Sequence, residues 1–180
     1  MTSLKAQLKS RRRRTAHGCW FVPEGSLQEI LTKDAILSRI SECGIPLEVR
    51  SEVVDHVLSD ARVLFAILVR IEQEHLIAEC LSHDIRDDKL SVITPESMEG
   101  LKIDPRFFEK RWEFLAPIFR RRNVLLKLKD QHVLPFLEDR RLDDSQGGYA
   151  NAFRVTLDAR HQGLVQFGPD DKVGKRTFKF

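Results

Sequence analysis

The sequence predicts a mainly α-helical protein, in which an N-terminal helical domain is followed by a small, partial antiparallel β-sheet. Apolar residues recur at three- and four-residue spacing between Leu27 and Leu81, which is the period of amphipathic helices. After Asn123 the pattern changes to short apolar runs that suit strands. The 180 residues, 42% of them hydrophobic, are enough for one substantial core, or for one small domain with an appended segment.

Residues 1–23 are predicted to form a basic, disordered arm and a lead-in to the first helix. Residues 1–14 contain Lys5, Lys9 and Arg11 to Arg14 but no acidic residue, whereas the whole chain has a formal charge of only +3. The arginine run is typical of a solvated arm, of a nuclear import signal, or of a contact with nucleic acid or acidic lipid. Nucleic acid is otherwise not expected as a partner.

Two short amphipathic helices are expected next. Ser26 and Asp34 are the residue types that cap helix N-termini, and Gly44 is suited to ending a helix. The spacing therefore predicts one or two helical pieces between Ser26 and Gly44.

A longer helical run begins after Pro46. The sequence from Leu47 to Cys80 contains neither Gly nor Pro, which is long for a single globular helix. We expect a break near Ser59-Asp60 or between Gln73 and His75. Apolar residues cover nearly every face from Phe65 to Val69, so this segment should be the central helix of the core.

The helical domain is predicted to extend over residues 24–122 and to end in an aromatic helix. Thr94-Pro95 resembles a helix start that Gly100 interrupts, and Asp104-Pro105 resembles another start. Pro117 should kink or close the helix over 107–119. Four apolar residues share one stripe of this helix, which is typical of a core contact and less often of a partner-binding surface; they are Phe108, Trp112, Leu115 and Phe119.

The chain is predicted to be intracellular, in the cytoplasm or the nucleus, and not to be embedded in a membrane. The longest apolar run, Val63 to Val69, is far shorter than the roughly 20 residues of a membrane span. Cys19, Cys43 and Cys80 form an odd, scattered set without a secretory leader, which favours free thiols in a reducing compartment.

No catalytic residue and no metal site are predicted from residue types and spacing. His75, Cys80 and His83 are spaced so as to approach one another on a helix, but a fourth ligand is missing. The acidic pairs, such as Asp87-Asp88, stand in turn-like sequences and are typical of turn and cap residues. His161 lies in a polar loop without a nucleophile nearby in sequence.

Four motifs occur in a fixed order towards the C-terminal end. They are FFEKRWEFLAP (Phe107 to Pro117), VLPFLED (Val133 to Asp139), GGYANAFRV (Gly147 to Val155) and LDARHQ (Leu157 to Gln162). In this order they resemble the N-terminal helical region and the start of the catalytic domain in a family of serine/threonine protein-kinase-like proteins from filamentous fungi. The resemblance covers most of residues 27–180, and its specificity rests on the serial order.

The resemblance implies that residues 123–180 are a partial kinase-like β segment, a glycine-loop hairpin followed by a terminal strand. Ser145, Gly147 and Ala150 stand where the glycine-rich loop has its three glycines, and Ala152 stands at the valine that covers adenine. Lys179 stands at the lysine that pairs with the α and β phosphates. The implied positions, in degenerate form, for binding ATP are Gly147, Gly148, Tyr149, Ala150 and Lys179. The alternative is that Gly147-Gly148 is simply a hairpin turn.

The function implied is that of a truncated protein-kinase-like protein without phosphotransferase activity on its own. The catalytic-loop aspartate and asparagine and the metal-binding aspartate of a kinase have no counterpart in these residues. No cofactor is expected, with ATP bound only if the chain is part of a longer kinase. Two alternatives remain: a helical adaptor or regulatory module that binds a protein partner, and the N-terminal fragment of a longer active serine/threonine protein kinase.

Overall fold

The computed structural model describes residues 3–120, 128–141 and 153–164, together with the backbone of 176–179. Within these residues the chain is mainly helical, with seven α-helices and several short strands. The mainly α fold class is therefore confirmed. No helix among these residues has the length and apolar character needed to cross a membrane.

The chain folds into two compact units, each made of two separate segments. The helical unit consists of Met1–Arg11 and Gly25–Phe114, and the strand unit consists of Arg12–Glu24 and Leu115–Phe180. This division differs from the predicted arm, helical domain and β segment. The difference arises because the N-terminal residues contribute to both units instead of preceding them.

The helical unit contains all seven described α-helices. They are α1 (Leu4–Arg11), α2 (Ser26–Ile30), α3 (Lys33–Glu42), α4 (Leu47–Ser59), α5 (Arg62–Ile71), α6 (Ile77–Ser82) and α7 (Arg106–Lys110). Short 3₁₀ turns lie between or after them, at Glu74–Leu76, Asp87–Lys89, Glu96–Met98 and Arg111–Glu113.

Residues Leu4–Arg11 form helix α1, whereas the sequence predicts a disordered arm in this region. It packs on α2 and α5, and its Leu8 side chain is fully buried. Lys5 Nζ lies 2.6 Å from Glu72 Oε1, and Arg11 Nη1 lies 2.5 Å from Glu29 Oε2. The helix carries one buried apolar residue in a basic sequence, so its stability depends on tertiary contacts that a periodicity analysis does not detect.

The break predicted near Ser59-Asp60 is confirmed, because α4 ends at Ser59 and α5 begins at Arg62. A second break follows α5, where Glu72 adopts a left-handed conformation with φ of 65°. Every residue from Leu64 to Val69 is buried, so α5 is the central helix, as predicted.

The predicted caps of α2 and α3 are wrong by one or two positions. Gly25, with φ of 80°, precedes α2, and Ser26 is its first residue. The Thr32 hydroxyl, and not Asp34, caps α3 by accepting a hydrogen bond from Ala35 N at 3.3 Å. Gly44, with φ of 76°, follows the end of α3, where the sequence predicts that end.

Helix α5 is capped by a residue that is distant in sequence. Ala61 precedes the helix and has no side-chain acceptor, so the first N–H groups of α5 need partners from elsewhere. Asp87 supplies them: its carboxylate accepts hydrogen bonds from Val63 N at 3.0 Å and Leu64 N at 2.9 Å. Burial raises the pKa of the Asp87 carboxyl, while the hydrogen bonds from the backbone N–H groups act in the opposite direction. The role of Asp87 as a cap and not a catalytic group agrees with its turn-like sequence.

Replacing Asp87 by alanine is expected to destabilise the protein by about 1–2 kcal/mol, because two N–H groups at the start of the central helix lose their acceptor. The matched control is Asp88→Ala, which removes the same group from an exposed neighbouring position and should change the free energy of unfolding by less than about 0.5 kcal/mol. Urea unfolding followed by circular dichroism measures both. Equal losses in the two variants would show that Asp87 is not the cap.

The predicted aromatic helix over 107–119 is wrong. Helix α7 ends at Lys110 and continues as a 3₁₀ turn to Glu113, so the four residues of the predicted stripe do not lie on one helix. Trp112 is buried, with 8% of its surface exposed, and Phe107 is fully buried. The tightening to a 3₁₀ turn changes the angular spacing of the side chains, and Phe119 lies in a β-strand, Phe119–Arg120, so the helical spacing does not continue to the end of the segment.

The strand unit contains short strands in three groups. They are β1 (Arg13–Arg14), β2 (Trp20–Phe21), β3 (Phe119–Arg120), β4 (Phe136–Arg141), β5 (Phe153–Leu157), β6 (Gln162–Gly163) and β7 (Arg176–Lys179). β1 pairs with β2 in antiparallel orientation, and β3 pairs with β6 in parallel orientation. β4, β5 and β7 form an antiparallel sheet with β5 as the central strand, as expected for the small partial sheet.

The three cysteines are free thiols. Cys19 is exposed, Cys43 is half-buried and Cys80 is buried. Burial raises the pKa of the Cys80 thiol to about 12, which makes it a poor nucleophile at neutral pH. Among the described residues, no three His, Cys, Asp or Glu side chains are grouped so that they could hold a metal ion.

Candidate functional site

The predicted ATP-binding positions fall into two groups. Gly147, Gly148, Tyr149 and Ala150 lie outside the described residues. The backbone of Lys179 is described, and it belongs to β7 at the edge of the three-stranded sheet. The described part of the candidate site is therefore the sheet whose strands β4 and β5 flank residues 142–152.

The register of the sheet brings three basic residues into one row. Arg140 on β4 stands opposite Arg154 on β5, and Arg154 stands opposite Lys179 on β7. Residues directly opposite each other on neighbouring strands belong to the same face of a sheet. We call Arg140, Arg154 and Lys179 the basic row.

Arg140 and Arg154 place two positive charges at directly opposite positions of the sheet. Arg140 and Arg154 are both exposed, and neither forms an ion pair with another described residue. Like charges at directly opposite positions destabilise a pair of strands. The two exposed arginines can attract an anionic group, but a guanidinium stays protonated and is neither a general base nor a metal ligand. Its chemistry is that of binding.

The neighbouring register positions anchor the sheet. Val155 and Leu157 on β5 are buried, with 3% and 1% of their surface exposed. Thr156 is buried as well, and its hydroxyl donates a hydrogen bond to Glu138 Oε2 at 3.2 Å. β5 is the central strand of the sheet. Its first two residues, Phe153 and Arg154, are exposed, and its residues from Val155 to Leu157 are buried.

Asp158 joins the end of β5 to two other segments of the strand unit. Its carboxylate is fully buried and accepts hydrogen bonds from Arg13 Nη1 at 2.7 Å and from Arg160 N at 2.9 Å. Its own N–H donates to Pro135 O at 3.0 Å. A buried carboxylate with a guanidinium and an N–H donor is satisfied structurally, so we assign Asp158 to folding and not to catalysis.

His161 is a buried structural residue, although the sequence places it in a polar loop. Its Nε2 atom lies 3.0 Å from Glu24 N, and its Nδ1 atom lies 3.1 Å from Pro117 O. The ring also meets Phe21 edge to face at 5.3 Å. Because Nε2 must accept from an N–H group, the proton sits on Nδ1 and both nitrogens are engaged. The imidazole is not available as a general base.

The arginine run is part of the folded structure from its first residue to its last. Arg11 ends α1, and Arg13 pairs with Asp158. The Arg12 guanidinium lies 4.8 Å from the centre of the Trp20 ring, and Arg14 Nε donates to Gly18 O at 3.3 Å. These contacts give the run a structural role that its sequence did not indicate.

Sequence reasoning missed Arg140 and Arg154. The described strands pair symmetrically about position 147, since Arg140 and Arg154 are each seven positions from Gly147. A hairpin drawn around the Gly147-Gly148 dipeptide would have brought Arg154 close to Arg140 and Arg141. The available signal was therefore the position of the glycines, combined with the period of two along each strand.

No protein-family model matches the chain, and neither a curated protein nor a solved structure is found to be similar to it. The kinase-like order of motifs is accordingly supported by the sequence alone.

Proposed function

We propose that the chain is a protein-kinase-like protein that does not transfer phosphate on its own, with a helical unit and the opening strands of a kinase small lobe. The observation that carries the proposal is the pairing of β4 with β5 as antiparallel neighbours. Residues 142–152, which include Gly147 and Gly148, thus connect two paired strands. A glycine-rich loop has this position in a kinase small lobe.

The position of Lys179 supports the same proposal. β7 is the third of this sheet's strands along the chain, and it pairs with β5. In protein kinases the lysine that contacts the α and β phosphates stands on the third strand. Lys179 therefore belongs to the same small sheet as β4 and β5, the two strands that precede and follow residues 142–152.

Activity of this chain by itself is not expected, for chemical reasons. Phosphoryl transfer requires an aspartate that accepts the proton of the substrate hydroxyl and an aspartate and asparagine that hold Mg²⁺. The 180 residues contain no HRD or DFG sequence, which carry those groups in kinases. The basic row adds positive charge but neither of these functions.

The test is a phosphotransfer assay with the purified chain, Mg²⁺ and ATP labelled on the γ-phosphate. We expect labelling of neither the chain nor a generic protein acceptor above a blank, and an ATP dissociation constant weaker than about 1 mM. Lys179→Met is the diagnostic variant, and Lys129→Met removes a lysine outside the sheet as the matched control. Labelling that Lys179→Met loses and Lys129→Met retains would overturn the proposal, whereas labelling retained by both comes from a contaminating kinase.

The adaptor alternative is less well supported by the geometry. Its docking surface was the aromatic stripe, but Trp112 is buried and the stripe is not a helix face. The third possibility is that the chain is the N-terminal part of a longer active kinase. The sheet of β4, β5 and β7 would then have the same role, as the opening strands of the small lobe. In that case the catalytic and metal-binding residues would come from sequence outside these 180 residues.

The cytoplasm or the nucleus is the compartment we propose, with a protein partner for the helical unit. Three free thiols are the support for a reducing compartment. Arg11, Arg13 and Arg14 are exposed, but Arg11 and Arg13 are engaged in ion pairs. The arginine run is therefore only partly available as an import signal.

A further inference from the structure

Thr94 stands at a distinctive place in the sequence and in the helical unit. It is the only Ser or Thr of the 180 residues that is directly followed by Pro. Residues 94–97 are exposed, whereas Ile93 before them and Met98 after them are buried, with 8% and 3% of their surface exposed. The turn is thus anchored at both ends and presents the Thr94-Pro95 dipeptide to solvent.

The Thr94 hydroxyl makes its hydrogen bonds within the exposed turn. Thr94 N donates to Ser97 Oγ at 2.9 Å, but the bond that Thr94 Oγ1 accepts from Ser97 N is long, at 3.4 Å. The exposed Glu96 carboxylate accepts hydrogen bonds from the Glu96 backbone and from the Thr94 side chain, and these bonds lower the pKa of the Glu96 carboxyl. A substituent on Thr94 Oγ1 would therefore replace two hydrogen bonds at the surface of the turn, one from Ser97 N and one to the exposed Glu96 carboxylate.

Arg111 is a half-buried guanidinium without a counter-charge among the described residues. It stacks against Phe108 and Trp112, with its central carbon 5.4 and 4.8 Å from the ring centres. Its hydrogen bond is donated by Nη1 to Ile93 O at 2.6 Å, and its buried Nε has no partner. Burial lowers the pKa of this guanidinium, and no carboxylate offsets that effect. Most buried guanidinium groups are paired with an anion.

The hydrogen bond to Ile93 places Arg111 next to Thr94. A planar trans peptide holds the carbonyl oxygen of one residue within about 3 Å of the Cα atom of the next. With Nη1 at 2.6 Å from Ile93 O, the guanidinium is close to the backbone of Thr94. A phosphoryl group on Thr94 Oγ1 extends the side chain by one P–O bond and adds three acceptor oxygens.

We propose that Thr94 is a phosphorylation site for a proline-directed serine/threonine protein kinase, and that Arg111 binds the phosphate. In the reaction Thr94 Oγ1 forms a bond to the γ-phosphorus of MgATP, the bond from that phosphorus to the β–γ bridging oxygen breaks, and ADP leaves. The hydroxyl proton passes to the catalytic aspartate of the modifying kinase. This site is independent of the proposed function, because a separate kinase modifies it.

Phosphorylation of Thr94 would change its interactions with two residues, Glu96 and Arg111. The phosphate repels the Glu96 carboxylate, which is exposed and free to turn into solvent. The guanidinium of Arg111 gains a charge-assisted bond that a planar, multidentate donor makes well with phosphate. The modified turn is thereby tied to the residue that follows α7.

The first part of the test asks whether the folded chain is a substrate. The full chain is incubated with a purified proline-directed kinase and MgATP, and the phosphate is located by tandem mass spectrometry. We expect one phosphate on Thr94, loss of incorporation in Thr94→Val, and retention in Thr94→Ser. Modification of Thr94 only after the chain is unfolded in urea and diluted, or modification at other residues alone, would overturn the proposal.

The second part tests Arg111 by following the phosphorus resonance of the modified chain as pH is varied. A guanidinium favours the doubly charged phosphate, so the second phosphate pKa should be about one unit lower than in Arg111→Gln. Arg111→Gln keeps an amide that can donate to Ile93 O. The matched control is Arg106→Gln, because Arg106 is the first residue of α7, which Arg111 follows, and is already paired with Asp104 at 2.7 Å.

Arg106→Gln should leave the phosphate pKa unchanged, and equal phosphate pKa values in the unmodified sequence and in Arg111→Gln would contradict the assignment of Arg111. If Arg111→Gln does not fold, the comparison is made between the folded chain and the same phosphorylated chain in urea. The folded chain must then show the lower phosphate pKa, and the difference must shrink at high salt. No difference would again overturn the proposal.

Discussion

Replacing Leu68 by alanine is expected to destabilise the helical unit by about 2–5 kcal/mol. Leu68 lies in the middle of α5, and none of its surface is exposed. The substitution removes apolar atoms that are fully withdrawn from water and leaves a cavity among neighbours that are themselves buried on every side. Urea unfolding followed by circular dichroism, with the combined fluorescence of Trp20 and Trp112 as a second probe, measures the loss.

The matched control for Leu68 is Leu47→Ala. Leu47 is the first residue of α4, and 74% of its surface is exposed. The same chemical change at this position should alter the free energy of unfolding by less than about 0.5 kcal/mol. If both variants lost the same free energy, α5 would not be the central helix of the core.

Arg39→Ala is expected to cost about 2–3 kcal/mol. Arg39 on α3 pairs with Glu74, whose side chain is only 3% exposed, and with Glu42, whose side chain is 59% exposed. Removing the guanidinium leaves the Glu74 carboxylate buried without its counter-charge. The loss should fall below that of a fully buried pair, because 35% of the Arg39 side chain is exposed and water can replace part of it.

Two further variants separate the contributions of the two carboxylates. Glu42→Ala removes the exposed partner of Arg39 and should cost no more than about 0.5 kcal/mol. Adding Glu74→Gln to Arg39→Ala should restore part of the lost stability, because a neutral amide needs no counter-charge. If Glu42→Ala were as costly as Arg39→Ala, the stabilising partner would be the exposed carboxylate instead of the buried one.

Local sequence patterns predicted those features of the helical unit that depend on residues close together in the chain. The break after Ser59 and the burial of Leu64 to Val69 follow from the spacing and density of apolar residues in the chain itself. Gly44 ends α3 because a left-handed residue is needed there, and glycine adopts that conformation without strain. Such features depend on residues within one or two helical turns.

The missed features depend on residues that are distant in sequence. Asp87 caps a helix whose first N–H groups lie more than twenty positions earlier, so no capping pattern near Ala61 could reveal it. Helix α1 is held by contacts with α2 and α5 and not by its own apolar face. The pairing of Arg140 with Arg154 requires knowledge of the strand register, which the sequence leaves open by one residue.

The division of the N-terminal residues between two units has a consequence for the order of folding during synthesis. Arg13 and its partner Asp158 are 145 positions apart, and His17 and its partner Asp139 are 122 positions apart. The β1–β2 hairpin emerges from the ribosome early, but these partners are synthesised 122 and 145 positions later. The strand unit therefore closes a long loop as it folds, which favours slow, late completion. The helical unit, whose residues are complete at Phe114, can fold first.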